Sequence, residues 1–248
     1  MKRRAIVMGA TSGIGMEVAR QLAASGWLVG IAGRRIERLD EVLASAEGIV
    51  CSRCIDVNDV DAPAQLLDLI AELGGMDLYF HSSGIGWQNN QLDQKKELDT
   101  LQTNGVGFVR MVSAAFNWFA AHSPAPGYTF RIACITSIAG TRGLGAAPAY
   151  SATKRMQNHY LECLSQLARM RRLPVRITDV RPGFVATDLI SGSSYPMQLR
   201  ASSVARHIVG AIEMGRAVVT IDWRYAVLVF FWRLIPRWLW VRMRITTK

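Results

Sequence analysis

Four residues in this 248-residue chain have the types and spacings that proton chemistry needs: Asn104, Ser137, Tyr150 and Lys154. In Tyr150-Ser-Ala-Thr-Lys154 the four-residue step stacks a phenol and an ammonium on one face of a helix. A cation so placed lowers the phenol from its usual value near ~10 toward neutrality, as a general acid or base requires. Ser137 closes Ile135-Thr-Ser137 at the carboxyl end of an apolar run, the edge where open parallel sheets hold ligands. Its hydroxyl can donate to a carbonyl oxygen. Ser, Tyr and Lys are each common at helix starts, so the chemical reading rests on their joint occurrence downstream of a glycine-rich turn.

That turn is Gly9-Ala-Thr11-Ser12-Gly13-Ile14-Gly15, set between an apolar run and a helical pattern. Free backbone N–H groups at a positive helix end suit a dinucleotide pyrophosphate, and a Cβ would block its close approach. The end of the second strand chooses between nucleotides, because a carboxylate there binds free ribose hydroxyls and repels a 2′-phosphate. Here it reads Ile31-Ala32-Gly33-Arg34-Arg35, with two guanidinium groups and no acid. NADP(H) is the expected cofactor, held in part by Arg34 and Arg35.

A sheet edge and several helix starts must bring these groups together. Apolar runs occur at Ala5–Met8, Leu28–Ala32, Gly48–Cys54, Met76–His81, Tyr128–Thr136, Val175–Val180 and Ala217–Ile221, separated by segments of helical period. Repeated β-α units follow, hence an α/β fold: one Rossmann-type domain with a doubly wound, seven-stranded parallel sheet and helices on both faces. Ile14–Ala24 carries one apolar face (Ile14, Val18, Leu22, Ala23), and Leu66, Leu67, Ile70 and Leu73 mark another. Asn58-Asp59 is expected to cap a helix over Val60–Leu73, which Gly74-Gly75 would stop. Residues 1–222 are expected to form the nucleotide-binding and catalytic domain, and 223–248 a basic, Trp-rich extension.

Over nearly its whole length the chain resembles the short-chain dehydrogenase/reductase family, in its NADP-preferring form. Gly9, Gly13 and Gly15 look like the family's cofactor loop, Asp56-Val57 like the pair that touches adenine, and Asn104, Ser137, Tyr150 and Lys154 like its catalytic tetrad. Arg181-Pro182-Gly183, with Val185 and Thr187 beyond, looks like the segment that closes over nicotinamide. The resemblance implies hydride transfer from NADPH to a carbonyl carbon while Tyr150 protonates the oxygen and Ser137 polarises it. Lys154 would also hold the nicotinamide ribose, and Asn104 would anchor a water relaying protons to Lys154. It implies a homodimer or homotetramer pairing through Asn104–His122 and Tyr150–Met170. One departure is His81-Ser82-Ser83-Gly84, where the family has Asn-Asn-Ala-Gly. Gly84 keeps the backbone freedom, Ser83 is expected to line the cofactor wall, and His81 is either a second acid or base or, by preference, a structural histidine.

Four cysteines in such a length, and no secretory signal after Met1-Lys2-Arg3-Arg4, lead us to expect a reducing, cytoplasmic setting. Cys51-Ser-Arg-Cys54 has zinc spacing without a second ligand pair, so no metal is expected. The net charge is +10, and from Arg216 onward seven cations face one acid, so +6 of it is C-terminal. Four tryptophans interleave those arginines between Trp223 and Trp240, a composition suited to peripheral membrane contact through 223–242 rather than to nucleic acid; the alternative is that Tyr225–Trp232 packs as a helix or strand over the sheet or a subunit interface. Arg233, Pro236 and Arg237 interrupt the segment too soon for a spanning helix. The substrate lid is expected at Thr187–Ala201, where no charge lies between Asp188 and Arg200, so apolar or neutral polar substrates fit better, and the family resemblance then implies a hydrophobic or lipid-like ketone of 3-oxoacyl or 3-ketosphinganine type. The alternatives are a small sugar or polyol ketone, or an NADP-binding regulatory or scaffold protein that would not need the tetrad.

Overall fold

Alternation along the first strand divides the core in two. In β1 (Arg4–Met8), Ile6 and Met8 enter one buried cluster while Ala5 and Val7 enter another, as a two-residue side-chain period requires. The computed structural model describes residues 2–188, 195 and 197–245. Parallel to β1 run β2 (Leu28–Gly33), β3 (Ile49–Cys54), β4 (Leu78–His81), β5 (Phe130–Ile135) and β6 (Val175–Arg181). A separate two-stranded sheet joins β7 (Val185–Ala186) to β8 (Leu199–Arg200), and β9 (Val218–Thr220) closes the main sheet beside β6. The order β3-β2-β1-β4-β5-β6-β9 makes this a doubly wound, seven-stranded parallel sheet.

Helices α1 (Gly13–Ala24), α2 (Ile36–Leu43) and, later in the chain, α7 (Ala201–Glu213) cover the Ala5–Val7 face with Val18, Leu22, Leu39, Val204 and Ile208. The opposite face takes α3 (Ala62–Leu73), α5 (Phe108–Ala121) and α6 (Pro148–Met170), through residues such as Leu66, Phe108 and Leu161. The short α4 (Gln94–Leu101) precedes a π-helical turn, Gln102–Gly107, that leads into α5. Two helices, α8 (Trp223–Leu234) and α9 (Arg237–Trp240), end the described chain.

All seven expected strands form, β3, β4, β5 and β9 with ends moved inward by up to two residues and β1, β2 and β6 longer by one. Two details of α3 differ from the sequence reading. It starts at Ala62 rather than Val60, with Pro63 in its first turn, where a missing N–H costs nothing. Its buried stripe contains Leu69 in place of Leu67, which is 46% exposed. Gly74 does end the helix, at φ +79 in the left-handed region that glycine enters freely. The two-residue strands β7 and β8 were not anticipated, since such short segments carry no readable alternation. The first immediately precedes the expected lid, Thr187–Ala201, and the second falls inside its far end; residues 189–194 and 196 of that lid lie outside the described residues.

The chain leaves β1 for β2 on one side, while β4 pairs with the other edge of β1. This switch opens a crevice at the carboxyl ends of the strands, between Gly9 and Ser82-Ser83, with Ser137 two residues beyond β5 on the same edge.

Candidate active site

A cavity of about 860 Å³ fills that crevice. It is lined by Gly9, Thr11, Ser12, Gly13 and Ile14 of the glycine loop, by Arg34 and Arg35 beyond β2, and by Val57, Ser83 and Gly84. Ser137, Tyr150, Lys154, Pro182, Gly183, Val185 and Thr187 complete the predicted residues it gathers. Three others fall behind its wall. Gly15 packs against the loop itself, where an added Cβ would lie 2.1 Å from the Gly9 carbonyl oxygen, so it closes the turn rather than facing the cavity. Asp56 turns aside, accepting from Asn58 N at 3.0 Å and lying 3.8 Å from Arg34. Asn104 is fully buried behind Ile85.

The loop end of the cavity fits a dinucleotide. Ser12 precedes α1 without a side-chain bond to its amides, and no acid sits in the first turn, so the positive helix end is not neutralised from within. Gly13 has φ +55, and a Cβ there would come within 2.8 Å of Thr187 Cγ2, so only glycine lets Thr187 lie across the loop. Arg35 reaches over the same loop, donating to Thr11 Oγ1 at 2.8 Å, Ser12 Oγ at 2.7 Å and Asp188 at 3.1 Å. The more exposed Arg34 is the guanidinium better placed to meet an incoming anion.

Tyr150 and Lys154 sit in the first two turns of α6, whose start is well defined. Pro148 occupies its first turn, and the Glu97 carboxylate accepts from Ala149 N at 3.0 Å, a negative charge at a positive helix end. The loop after β4 then passes flat across Tyr150: a Cβ at Gly86 would lie 2.3 Å from the ring. Ser137 Oγ accepts from Ala139 N at 3.0 Å and is in hydrogen-bonding contact with the Tyr150 phenol. The Lys154 ammonium lies 5.6 Å from the centre of the Tyr150 ring. Phenol, hydroxyl and ammonium therefore converge on one point of the cavity wall.

The electrostatics differ from the sequence expectation in one respect. The Tyr150 phenol is raised above its usual value, because burial outweighs the Ser137 hydrogen bond and the Lys154 cation does not offset it. The ammonium donates to the Ile135 carbonyl and to Gln157 Oε1, each at 3.0 Å. Burial also holds Lys154 down, at about 8. His81 is a structural residue. It is fully buried, outside the cavity lining, bonded through Nδ1 to Tyr79 at 2.9 Å, and kept neutral by burial that lowers it to about 3. Cys51 is likewise buried, its thiol pushed up to about 11, and among the described residues no cluster of His, Cys, Asp or Glu is suited to a metal.

Several residues of the site escaped the sequence reading. Gly86, Glu97 and Gln157 belong to no motif; Gly86 acts by packing on Tyr150, and Glu97 and Gln157 by hydrogen bonds to partners distant in sequence or unmarked by any motif. Tyr225, Leu228 and Trp232 of α8 wall the cavity opposite the glycine loop, so the C-terminal segment is part of the site. Tyr225 is fully buried; its hydroxyl accepts from Phe184 N at 3.1 Å and donates to the Met197 carbonyl at 3.0 Å. Trp240 donates to the Gly143 carbonyl at 2.7 Å and lies under the Arg142 guanidinium, which also donates to the Ile235 carbonyl.

A family model described as short chain dehydrogenase matches residues 3–196. An uncharacterized oxidoreductase of Myxococcus xanthus is 31% identical over 242 residues, which are 94% of this chain and 93% of that protein. Dehydrogenase/reductase SDR family member 7B of Rattus norvegicus is 26% identical over 94% of this chain and 77% of its own length. Among solved structures, a variant of actinorhodin polyketide ketoreductase with NADPH superposes with a TM-score of 0.75 at 25% identity, covering 89% of this chain and 95% of that one. A 3-ketoacyl-(acyl-carrier-protein) reductase from Brucella melitensis, complexed with NADH, reaches a TM-score of 0.79 over 89% of this chain and 96% of its own, with 18% identity, a likeness of fold alone.

The Tyr225 contacts predict a measurable cost. Tyr225→Phe leaves the Phe184 amide without its acceptor and is expected to destabilise the protein by about 1–3 kcal/mol in urea denaturation. An unchanged midpoint would show that α8 is not fastened through this hydroxyl.

Proposed function

Because this chain belongs to the short-chain dehydrogenase family and is an oxidoreductase on that ground, we propose that it is an NADPH-dependent reductase of apolar ketones. The observation that carries this reading is the meeting of Tyr150, Ser137 and Lys154 at a cavity whose far half is apolar. When bound, the reduced nicotinamide supplies the hydride that goes to the carbonyl carbon. Ser137 holds the carbonyl oxygen by hydrogen bonding, and Tyr150 gives that oxygen its phenolic proton, so ketone, hydride and proton become a secondary alcohol. Lys154 stabilises the phenolate left behind. The phenol, raised by burial, carries its proton at neutral pH, as reduction requires.

Arg34 and Arg35, with no acid at the end of β2, support NADPH over NADH. The glycine loop would hold the pyrophosphate, and Thr187 with the segment Pro182–Val185 would border the nicotinamide. Substrate specificity follows from Trp87, Leu144, Phe184, Leu228 and Trp232, all apolar, while the charged lining residues other than Lys154, namely Arg34, Arg35 and Asp188, gather at the loop end. That distribution supports a hydrophobic or lipid-like ketone of 3-oxoacyl or 3-ketosphinganine type over a sugar or polyol.

The outer faces of α8 and α9 suggest where such a substrate resides. Trp223, Leu234, Trp238 and Val241 are 62–74% exposed, beside exposed Phe230 and Phe231, an apolar surface of a kind that soluble monomers rarely leave open. Arg233, Arg237, Arg242 and Arg244 rim it, and no acid follows Asp222. A second copy docking here about a two-fold axis would set arginine against arginine, whereas an anionic leaflet would meet both the charges and the rings. Among the described residues no helix is long and apolar enough to cross a membrane, so the contact we propose is peripheral, at the cytoplasmic side. Self-association, as homodimer or homotetramer, is assigned instead to α5 and the exposed face of α6.

Three measurements test the reading. Tyr150→Phe should retain NADPH binding and lose about 10²–10⁴-fold in turnover on a panel of 3-oxoacyl thioesters and long-chain ketones; nucleotide binding by the unaltered chain with no turnover on any carbonyl would favour a regulatory protein. Arg34→Ala should weaken NADPH by about tenfold or more and leave NADH nearly unchanged, and equal losses would remove the cofactor preference. In co-sedimentation, the protein should bind phosphatidylglycerol vesicles and not phosphatidylcholine ones, with binding lost in Phe231→Ala/Trp238→Ala; indifference to both lipid charge and those rings would end the membrane proposal.

A further inference from the structure

Lys154 is buried to within 4% of its surface, yet the proposed chemistry needs it charged. The groups that face it supply little compensation. Cys134, beneath it on β5, has a thiol raised well above its usual value and so stays neutral, and His81 on β4 is neutral as well. Tyr150 on the same helix is a protonated phenol. Asp179 on β6 is committed elsewhere: Arg181 contacts it at 2.6 Å and Asn158 at 3.2 Å, and the Thr136 hydroxyl donates to it at 2.5 Å. Beside the Asp179 carboxylate, whose charge favours the ammonium, Lys154 has two direct acceptors, the Ile135 carbonyl and Gln157 Oε1.

Of those two acceptors only Gln157 is a side chain, and it is itself fixed at the other end. Its Nε2 donates to the backbone carbonyl of Asn104 at 2.8 Å, and the residue is fully buried. The Asn104 side chain is occupied in turn, donating to Ile85 O at 2.7 Å and accepting from Ile85 N at 2.9 Å. The amide of Gln157 thus spans the gap between the π-helical turn and Lys154.

We propose that Gln157 is a positioning residue of this site, a buried amide strut that fixes the Lys154 ammonium beside Tyr150 and keeps it in its charged form. An amide neither gains nor loses a proton in the working range. The strut therefore holds Lys154 without itself passing a proton from Asn104 to the ammonium. Lys154 changes charge at about 8, below which it carries the proton that stabilises the phenolate. Removing the Gln157 acceptor disfavours the charged form, so the change of charge moves to lower pH. The catalytic consequence rests on the roles proposed for Tyr150 and Lys154, whereas the placement of the ammonium does not.

The chain has only five lysines, Lys2, Lys95, Lys96, Lys154 and Lys248, so its lysine side chains can be followed individually by 13C NMR, with Lys154→Met identifying the buried one. In the full-length protein without nucleotide, Lys154 should titrate near 8. In Gln157→Met, and in Gln157→Asn, whose amide is too short to reach both partners, the midpoint should fall to about 7, the effect of one hydrogen bond to a charged group. The high-pH limb of kcat for ketone reduction should fall with it. A Lys154 midpoint unmoved in both folded variants overturns the proposal, even if turnover or thermal stability drops. A moved midpoint with an unmoved kcat limb keeps the strut and instead refutes the role given to Lys154 in turnover.

Discussion

The structure turns on a conflict at Lys154: proton chemistry requires a cation where burial opposes one. Desolvation alone can shift a fully buried lysine by several pKa units. Its ammonium is held by two acceptors, and both depend on the fold around them. The Ile135 carbonyl is the last residue of a central strand, and Gln157 is braced by a turn on the far side of the helix. The parallel sheet delivers the strand end, α6 delivers phenol and ammonium on one face, and the π-helical turn brings Asn104 into reach.

The sequence made the sheet legible because its strands are buried on both faces and read as short Val- and Ile-rich runs. Motifs at strand ends and helix starts were legible for a related reason, since their roles are fixed by backbone position: Gly9, Gly13, Ser137, Tyr150 and Lys154 all reach the cavity. Residues that act by filling space against distant partners were not. Gly86 matters because of Tyr150, 64 positions later, and Glu97 because of the Ala149 amide. Asp56 and Asn104 were found by motif, yet one turns toward an arginine and the other serves the backbone of Ile85. The phenol's environment was misjudged because a four-residue step fixes which face two groups share, not which way each terminal atom points.

The C-terminal helices illustrate the same limit from the other side. Composition singled them out as basic and aromatic, and it could not tell an appended segment from a cavity wall. They have two faces with different duties: Tyr225 and Trp232 turn inward to the site, while Phe231 and Trp238 turn outward. Their inner face is joined to the loop ahead of α6 through Arg142, Trp240 and Gly143, so the catalytic helix and the outer surface share one support.

One contact in that arrangement leaves a trace beyond this molecule. A Cβ at position 183 would lie 2.2 Å from the Tyr225 ring, so the bare backbone beyond β6 and the large ring on α8 fill one another's space. A side chain at 183 is excluded as long as the aromatic stays at 225. Among descendants of this chain, any that gain a side chain at 183 must first surrender the aromatic at 225, and lineages should carry the two sites as a linked pair although 41 residues of sequence separate them.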